Sequence, residues 1–594
     1  MKKNPLVYLF GENWKHSKDK WKVVKYWFQF IIANTIDMIL APLIVARIMN
    51  IIQGDGVTST NITSIEQCLM GLLGLEFLFW MFHGPARVTE MYNAAGVKAS
   101  VRTSLIAGLF RLPLSWHNEH HSGETIDRIE KNASSLHSFS NASFLVIGPI
   151  VKLVVTFSML VRLSGIGALV IVAMFGLITL IITHFDRRLV AQYNELNVYE
   201  NSISELINDF LGNITTLITL RAESHAFKFI VERIEKPFSL FKKNFILNEW
   251  KWFLVNFSAT LTLVLVLGVY FRQHIGVDKT ALVGSVYLLF RYLEEIKQFF
   301  FAFADRYGEI LHQRAGVEGG NKIAKYFKEP KKLVNHVPPD WKTIELAGVD
   351  FAYDSKVGAS LHLSGVSVKL ERGKRYAFVG SSGGGKSTLL KLIRGLYEPK
   401  QATVTVDGTV IPNGLDGIAD NVVLVPQDSE IFALTVKENI TFGAPISEEK
   451  VAKLIRIAQL TKVIEGLPQG LDSKVYEKGV NLSGGQKQRL AGARGLAARD
   501  FAPVGIPSIV CLDEPTSGLD KATEKGFINE LLHDSNDVTV IMAVHNLSVI
   551  PRFFDYVYMF EEGKVVGSGS FGEMRAHCPQ FNALWQIQHG EMAA

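Results

Sequence analysis

The sequence predicts two parts in one chain: an all-α transmembrane domain of six helices, followed by an α/β domain. Three observations carry this. Long apolar stretches occur only before about residue 305. Beyond the basic, proline-bearing segment KEPKKLVNHVPPDWK, short β-rich runs such as RYAFVG, NVVLVPQ, SIVCLDE and TVIMAVH alternate with helical ones. The length, 594 residues, also exceeds the about 250–300 residues at which a single core stops growing. Apolar residues make up 48% of the chain and the mean hydropathy is +0.18, as expected when a membrane part is averaged with a soluble one.

Membrane spans are read at 24–49, 65–84, 143–163, 166–184, 252–271 and 280–304. Each is long enough to cross about 30 Å of hydrocarbon at about 1.5 Å per residue. Only Ser164 and Gly165 separate the third and fourth. Roughly 58 residues lie between the second and third spans and roughly 67 between the fourth and fifth. Their mixed-polarity helical periodicity predicts two helix pairs projecting about 30–40 Å into one compartment, with breakers at Gly84-Pro85 and Leu112-Pro113. Lys2, Lys3, Lys15, Lys18, Lys20 and Lys22 precede the first span, whereas IIQGDGVTSTNITSIE after it has no Lys or Arg. The N-terminal segment and both extensions are therefore expected in the cytoplasm. The expected layout is an N-terminal segment 1–22, a membrane domain 23–320, a linker 321–342 and a soluble domain 343–594, in a multi-pass protein of a bacterial inner (cell) membrane. The apolar run Pro5–Phe10 is shorter than the core of about 7–15 residues in a signal peptide, so it is read as mature chain.

A formal charge of +5 gives no case for nucleic acid as a partner and suits a surface facing anionic lipid. Cys68, Cys511 and Cys578 form no CxxC pair and no Cys/His metal spacing, and are read as buried or incidental thiols. Within the spans, Asp37 stands near the middle of the first. A charge there marks a functional site, a partner for a basic residue on another helix, or a wall of a wet cavity. Arg291 has helical i,i+3 and i,i+4 spacing to Glu294 and Glu295, with Lys297 close by, which predicts self-neutralisation. Lys152, Arg162 and Arg272 are read as snorkelling near span ends.

The chemistry is concentrated in the second part. Gly380, Ser381, Ser382, Gly383, Gly384, Gly385, Lys386, Ser387 and Thr388 form a phosphate loop, GxxxxGK[ST], between the strand RYAFV and the helical run STLLKLIRGLY. Its glycines let backbone N–H groups wrap phosphates at a helix N-terminus. Lys386 is assigned to the β- and γ-phosphates of ATP and the Ser387 hydroxyl to Mg²⁺. The apolar run Ile509–Leu512 ends in Asp513, a second metal position, and Glu514, a general base for the attacking water. Between them, Ser483, Gly484, Gly485 and Gln486 open another helix, a second anion-binding end with Ser483 as cap and hydroxyl donor. One nucleotide does not need two such ends from one domain, whereas two domains facing head to tail would use both.

These residues resemble the ABC transporter superfamily: GSSGGGKST its Walker A motif, IVCLDE its Walker B and LSGGQ its signature. The resemblance implies further roles. Tyr353 is similar to the aromatic that stacks on adenine. Gln427 resembles the Q-loop glutamine, linking metal and water to the membrane domain. Asp520, in SGLD, belongs to a D-loop, and His545 resembles the switch histidine at the γ-phosphate. In the membrane part, Leu112–Trp116 with Ser122–Ile129 resembles the first coupling helix region of exporter-type (type IV) proteins, and Leu211–Ile214 leading to Arg221 and Glu223 the second. Three departures stand out: Tyr476 where exporters usually carry glycine, Pro515 and Gly518 where they more often carry alanine, and a longer stretch ARDFAPVGIPS. The resemblance implies an ATP-hydrolysing half-transporter working as a dimer, here with a second copy of the same chain, a heterodimer with a different partner being the alternative. It would move an amphipathic or hydrophobic substrate (a drug-like molecule, lipid or peptide) across the lipid bilayer by alternating access. An exporter-fold importer of a metal chelate and an ATP-gated channel or sensor are the alternatives. No cysteine precedes Cys68, so an N-terminal peptidase is not expected.

Overall fold

The computed structural model describes residues 4–120, 122–273, 282–327, 337–353, 362–427, 430–475, 482–500, 507–517, 519–533 and 538–589. The chain divides into two compact units, one of Met1–Leu112 with His120–Phe327, the other of Pro113–Glu119 with Lys328–Ala594.

The first unit is helical. Its helices are α1 (Pro5–His16), α2 (Lys20–Asp55), α3 (Ile62–Leu109), α5 (Ser122–Asn141), α6 (Phe144–Leu163), α7 (Gly165–Gly212), α8 (Ile214–Thr219), α9 (Glu223–Glu235), α10 (Phe238–Gln273) and α11 (Leu282–Ala324). The short helix α4 (Leu114–Glu119) groups with the second unit. Among the described residues, five helical stretches are long and apolar enough to cross a membrane. They contain the first five expected spans. The sixth falls on α11, whose apolar half is interrupted by Arg291, Glu294, Glu295 and Lys297; residues 280 and 281 of that expected span lie outside the described residues. Helices α3 and α7 each run for 48 residues, roughly 72 Å, so the expected extensions continue the membrane helices without a break.

Three local expectations are corrected. Gly84-Pro85 does not break α3. A proline removes one backbone donor, and the helix on both sides holds the turn while the Thr89 hydroxyl donates to the Pro85 carbonyl at 2.8 Å. Leu112-Pro113 does follow the helix end, three residues past Leu109. Between α6 and α7 a single residue turns the chain: Ser164 has extended backbone and its hydroxyl accepts from Gly167 N at 3.1 Å, so Gly165 is already helical. Finally, Lys152 does not snorkel; it pairs with Asp37 at 3.3 Å, joining α6 to α2. Arg291 pairs with Glu295 at 2.6 Å and Lys297 with Glu294 at 3.6 Å, one turn apart on α11.

Small residues and buried polar pairs set the helix contacts. A Cβ on Gly316 would lie 2.3 Å from Ser135 Oγ and one on Gly320 would lie 2.5 Å from Asn132 Cβ, so α11 approaches α5 backbone-close. Asn132 uses that closeness, donating to the Val317 carbonyl at 2.9 Å. Helices α7 and α10 are joined by the buried pair Asp186–Lys251 at 3.2 Å and by Asn244 donating to Gln192 at 3.2 Å.

The second unit holds two sheets. Strands β1 (Thr343–Phe351), β2 (Leu363–Glu371), β4 (Gln401–Val406) and β5 (Thr409–Val410) form an antiparallel sheet in the order β2-β1-β4-β5. Strands β3 (Arg375–Gly380), β6 (Val422–Val425), β7 (Ile509–Asp513), β8 (Thr539–Ala543), β9 (Tyr556–Glu561) and β10 (Lys564–Gly569) form the other, in the order β10-β9-β3-β8-β7-β6. The strands β9, β3, β8, β7 and β6 pair in parallel, and β7 and β8 are buried at every position, which accounts for their unbroken apolar runs. In register, Phe378 of β3 faces Ala543 of β8, and Ala543 faces Asp513 of β7. The carboxyl ends of three adjacent strands are thereby level.

The Asp186–Lys251 pair yields a stability prediction. Lys251→Met leaves Asp186 buried and unpaired, a loss of about 3–5 kcal/mol. Thermal unfolding in detergent should shift down sharply for Lys251→Met and recover in part in Asp186→Asn/Lys251→Met.

Candidate functional site

The level strand ends place the chemistry. The phosphate loop leaves β3 at Gly380, Glu514 follows β7, and His545 comes two residues after β8. Gly380 has φ +142 and a Cβ there would lie 2.1 Å from the Phe560 carbonyl oxygen; Gly385 has φ +105 and its Cβ would meet the Leu363 side chain at 2.5 Å. Both positions require glycine on conformational and steric grounds. The loop opens helix α12 (Lys386–Ile393).

Lys386 is buried, and its ammonium donates to the carbonyls of Gly380 at 2.8 Å and Ser381 at 2.9 Å. Burial pulls its pKa below the usual lysine value, against the pull of Glu514 and Asp513. Ser387 Oγ donates to Asp513 Oδ1 at 2.8 Å. Burial pushes the Asp513 carboxyl up, opposed by that hydrogen bond. A hydroxyl and a carboxylate converging in this way are hard oxygen donors of the kind a Mg²⁺ ion takes, and the glycine loop at a helix N-terminus suits phosphate; the residues fit a nucleotide with its cation.

Glu514 is buried and held in the left-handed region, φ +50. Both of its oxygens are engaged: His545 Nε2 lies 2.6 Å from Oε1, and Gln427 Nε2 donates to Oε2 at 2.5 Å. The three catalytic candidates thus form one cluster, with Lys386, Ser387 and Asp513 beside it. Tyr353 is half-buried, its ring 5.0 Å from His362, and the carbonyl of His362 lies 3.4 Å from the Cβ position of Gly385. Ser381, Ser382 and Gly383 are exposed, and Thr388 is half-buried on α12.

The signature residues behave differently. Ser483 caps the helix Gly484–Ala497: its hydroxyl accepts from Gln486 N at 3.3 Å and Gln486 Oε1 accepts from Ser483 N at 2.9 Å. Arg489 Nε donates to the Gly485 carbonyl. Asp520 accepts from Ala522 N, Thr523 N and the Thr523 hydroxyl, which hold its carboxyl below the usual range. Among the described residues these hydrogen bonds stay local and none reaches the phosphate loop. Gly518, Tyr476 and most of the ARDFAPVGIPS stretch lie outside the described residues.

Two supporting residues carry no motif. Glu524, buried on the helix Lys521–His533, accepts from the Thr516 hydroxyl at 2.9 Å and from Asn546 Nδ2 at 2.7 Å, tying the segment after Glu514 to the one after His545. Gln588, on the helix Pro579–His589, donates to the His545 carbonyl at 2.6 Å and accepts from Leu547 N at 2.9 Å. Asn546 adjoins His545 in sequence and could have been suspected. Gln588, 43 residues further on, leaves no signal in the sequence.

An α/β phosphate-loop domain preceded by long membrane helices in one polypeptide defines a class of protein, and the comparisons agree on which. Residues 24–291 match the family model described as ABC transporter transmembrane region, and residues 363–517 the one described as ABC transporter. The fold is shared with a bacterial Atm1-family ABC exporter with ATP bound, at a TM-score of 0.76 and 21% identity over 96% of this chain and 99% of that one. The chain is 26% identical over 513 residues to heavy metal tolerance factor 1 of Caenorhabditis elegans, covering 83% of this chain and 61% of that protein. It is 38% identical over 248 residues to a putative multidrug export ATP-binding/permease protein of Staphylococcus aureus, 41% of each. It is 36% identical over 253 residues to a heterocyst differentiation ATP-binding protein of Nostoc, 42% of this chain and 39% of that one. The chain spans about two fifths of the length of the last two relatives and about three fifths of the first. This chain belongs to the ABC transporter family. With the membrane region first and the ATPase domain second, it has the arrangement of an exporter-type half-transporter in a multi-pass membrane protein.

The Gln588 bonds predict a selective defect. Gln588→Ala should lower ATP turnover about three- to tenfold, the size of one or two lost hydrogen bonds, with KM for ATP unchanged. In a His545→Ala background it should add little, because both act through one side chain.

Proposed function

We propose that the chain hydrolyses ATP with Mg²⁺ and couples the hydrolysis to outward transport of an amphipathic or hydrophobic molecule across a bacterial cell membrane, as a homodimer. The observation that carries the ATPase reading is the meeting of Lys386, Ser387, Asp513, Glu514, Gln427 and His545 at the carboxyl ends of four adjacent parallel strands, β3, β8, β7 and β6. The substrate class rests on the apolar membrane helices and on relatives named for multidrug export and heavy metal tolerance.

In this reading Lys386 exchanges its two carbonyl partners for phosphate oxygens. Ser387 and Asp513 hold the cation, which supplies charge neutralisation at the phosphates. Glu514, fixed between Gln427 and His545, takes the proton of the water that attacks the terminal phosphorus as the bond to the ADP oxygen breaks. Tyr353 offers its ring to the base. Ser483, Gly484, Gly485, Gln486 and Asp520 serve the nucleotide of the partner subunit, which fits their purely local hydrogen bonds in a single chain. Every one of these positions carries a hydrolysis-competent residue type, which favours two equal sites and hence two identical chains.

Two measurements test this. Glu514→Gln should bind ATP as the parent does and lose nearly all turnover; retention of a third of the parent rate would remove Glu514 from its role. A Lys386→Ala chain and a Ser483→Arg chain should each trap no ATP alone. Mixed together they should regain trapping in one of two sites, because both lesions then fall on the same composite site. A chain that purifies as an inactive monomer and needs another protein for activity would refute the homodimer.

A further inference from the structure

We propose that the corner between α1 and α2 binds the headgroups of anionic phospholipid and that this occupancy raises ATPase activity through α11; the regulatory part rests on the ATPase reading above. The corner has two chemically distinct faces. One is built into the first unit. Tyr8 Oη and Glu12 Oε2 both accept from Asn321 Nδ2, at 3.0 and 3.2 Å. Asn13, fully buried, accepts from the Ser140 hydroxyl at 3.0 Å, and His16 Nδ1 lies 3.3 Å from the Ser100 hydroxyl. The spacing of these residues is that of one helical face, so α1 is keyed to α3, α5 and α11 by polar contacts.

The other face is open and has the composition of a membrane interface. Trp21 is 83% exposed and Trp14 is 37% exposed. From Trp21 an exposed apolar stripe runs along α2 through Val24, Phe28 and Ile31, at helical spacing, marking the side of the helix that meets hydrocarbon. Five exposed lysines cluster at the head of this stripe: Lys15, Lys18, Lys20, Lys22 and Lys25. Lys15 and Lys22 are paired with Glu12 and Asp19. Lys18, Lys20 and Lys25 form no ion pair among the described residues, and Lys20 Nζ sits 5.6 Å over the Trp14 ring. Interfacial tryptophans with uncompensated lysines at the mouth of a membrane helix match an anionic headgroup layer in both polarity and charge. The keyed face gives this layer a mechanical output. Asn321 lies in the last turn of α11, and α11 is the helix that leads into the linker to the ATPase domain. A lipid that holds the corner in place holds Tyr8 and Glu12 on Asn321.

The test uses the full chain in nanodiscs of phosphatidylcholine alone or mixed with an equal part of phosphatidylglycerol. ATPase activity should rise several-fold with phosphatidylglycerol, and the rise should shrink with added salt. Lys18→Gln/Lys20→Gln/Lys25→Gln should keep the phosphatidylcholine rate and lose most of the stimulation by phosphatidylglycerol, since each lysine removed weakens headgroup binding about fivefold. Binding is read separately, as the excess tryptophan quenching by brominated phosphatidylglycerol over brominated phosphatidylcholine, which the triple variant should abolish. Asn321→Ala should keep the quenching excess and lose the stimulation. Equal stimulation of parent and triple variant, or an active parent indifferent to phosphatidylglycerol, would overturn the proposal. Stimulation by free glycerol phosphate in phosphatidylcholine discs would overturn lipid as the source. Stimulation retained in Asn321→Ala would overturn the route through α11. A parent inactive in both discs would instead sink the ATPase reading.

Discussion

The parallel pairing of β3, β8 and β7 is the constraint on which the site depends. Ladder register makes Phe378, Ala543 and Asp513 a single row, so whatever follows each of them in sequence emerges at one edge. Residues from three separated stretches then meet within hydrogen-bond distance: the phosphate loop, the acidic pair and the histidine. A slip of one residue in any strand would turn its side chains to the opposite face and scatter the cluster. The strands hold register because they are apolar and buried on both sides, so the register is defended by the core rather than by the site. The supporting bonds of Glu524 and Gln588 add a second layer, fixing the backbone beyond the strand ends where no ladder exists.

The membrane part obeys another constraint. Charges in or near hydrocarbon are costly, and two groups of them within the spans are held in ion pairs. Asp37 meets Lys152 across two helices, and the four charges of α11 close on each other along one helix. The two solutions differ in what they do. Pairs within α11 neutralise charge without joining anything, whereas Asp37–Lys152 ties α2 to α6. At the α1–α2 corner, Lys18, Lys20 and Lys25 are exposed and form no ion pair among the described residues, which is the feature the proposed anionic-lipid site rests on.

Legibility varied with the range of the interaction. Long apolar runs revealed the first five spans because crossing hydrocarbon sets both length and composition. The sixth, read at 280–304 on the same grounds, falls on α11, which trades apolarity for paired charge and is not among the five stretches apolar enough to cross. Gly84-Pro85 misled because a breaker residue costs one hydrogen bond locally, while a 48-residue helix is held by its length and its packing. Lys152 was misread as a snorkelling side chain because the partner of a lysine on another helix cannot be seen in linear spacing. The phosphate loop, by contrast, was legible residue by residue: its glycines are required by backbone geometry, and that requirement is written at fixed intervals.

The sequence by itself determined the fold class and the family, and it singled out Lys386, Ser387, Asp513 and Glu514 as candidates, because each is set by local chemistry: a tight glycine turn, a helix N-terminus, a buried strand ending in carboxylates. Tertiary structure alone decided that Gln427 and His545 clasp the two oxygens of Glu514, that Gln588 brackets the histidine's backbone, and that Asp37 belongs to Lys152. Those contacts join residues tens to more than a hundred positions apart. No local rule of spacing encodes them, since they arise only when strand register and helix packing bring distant segments to within about 3 Å.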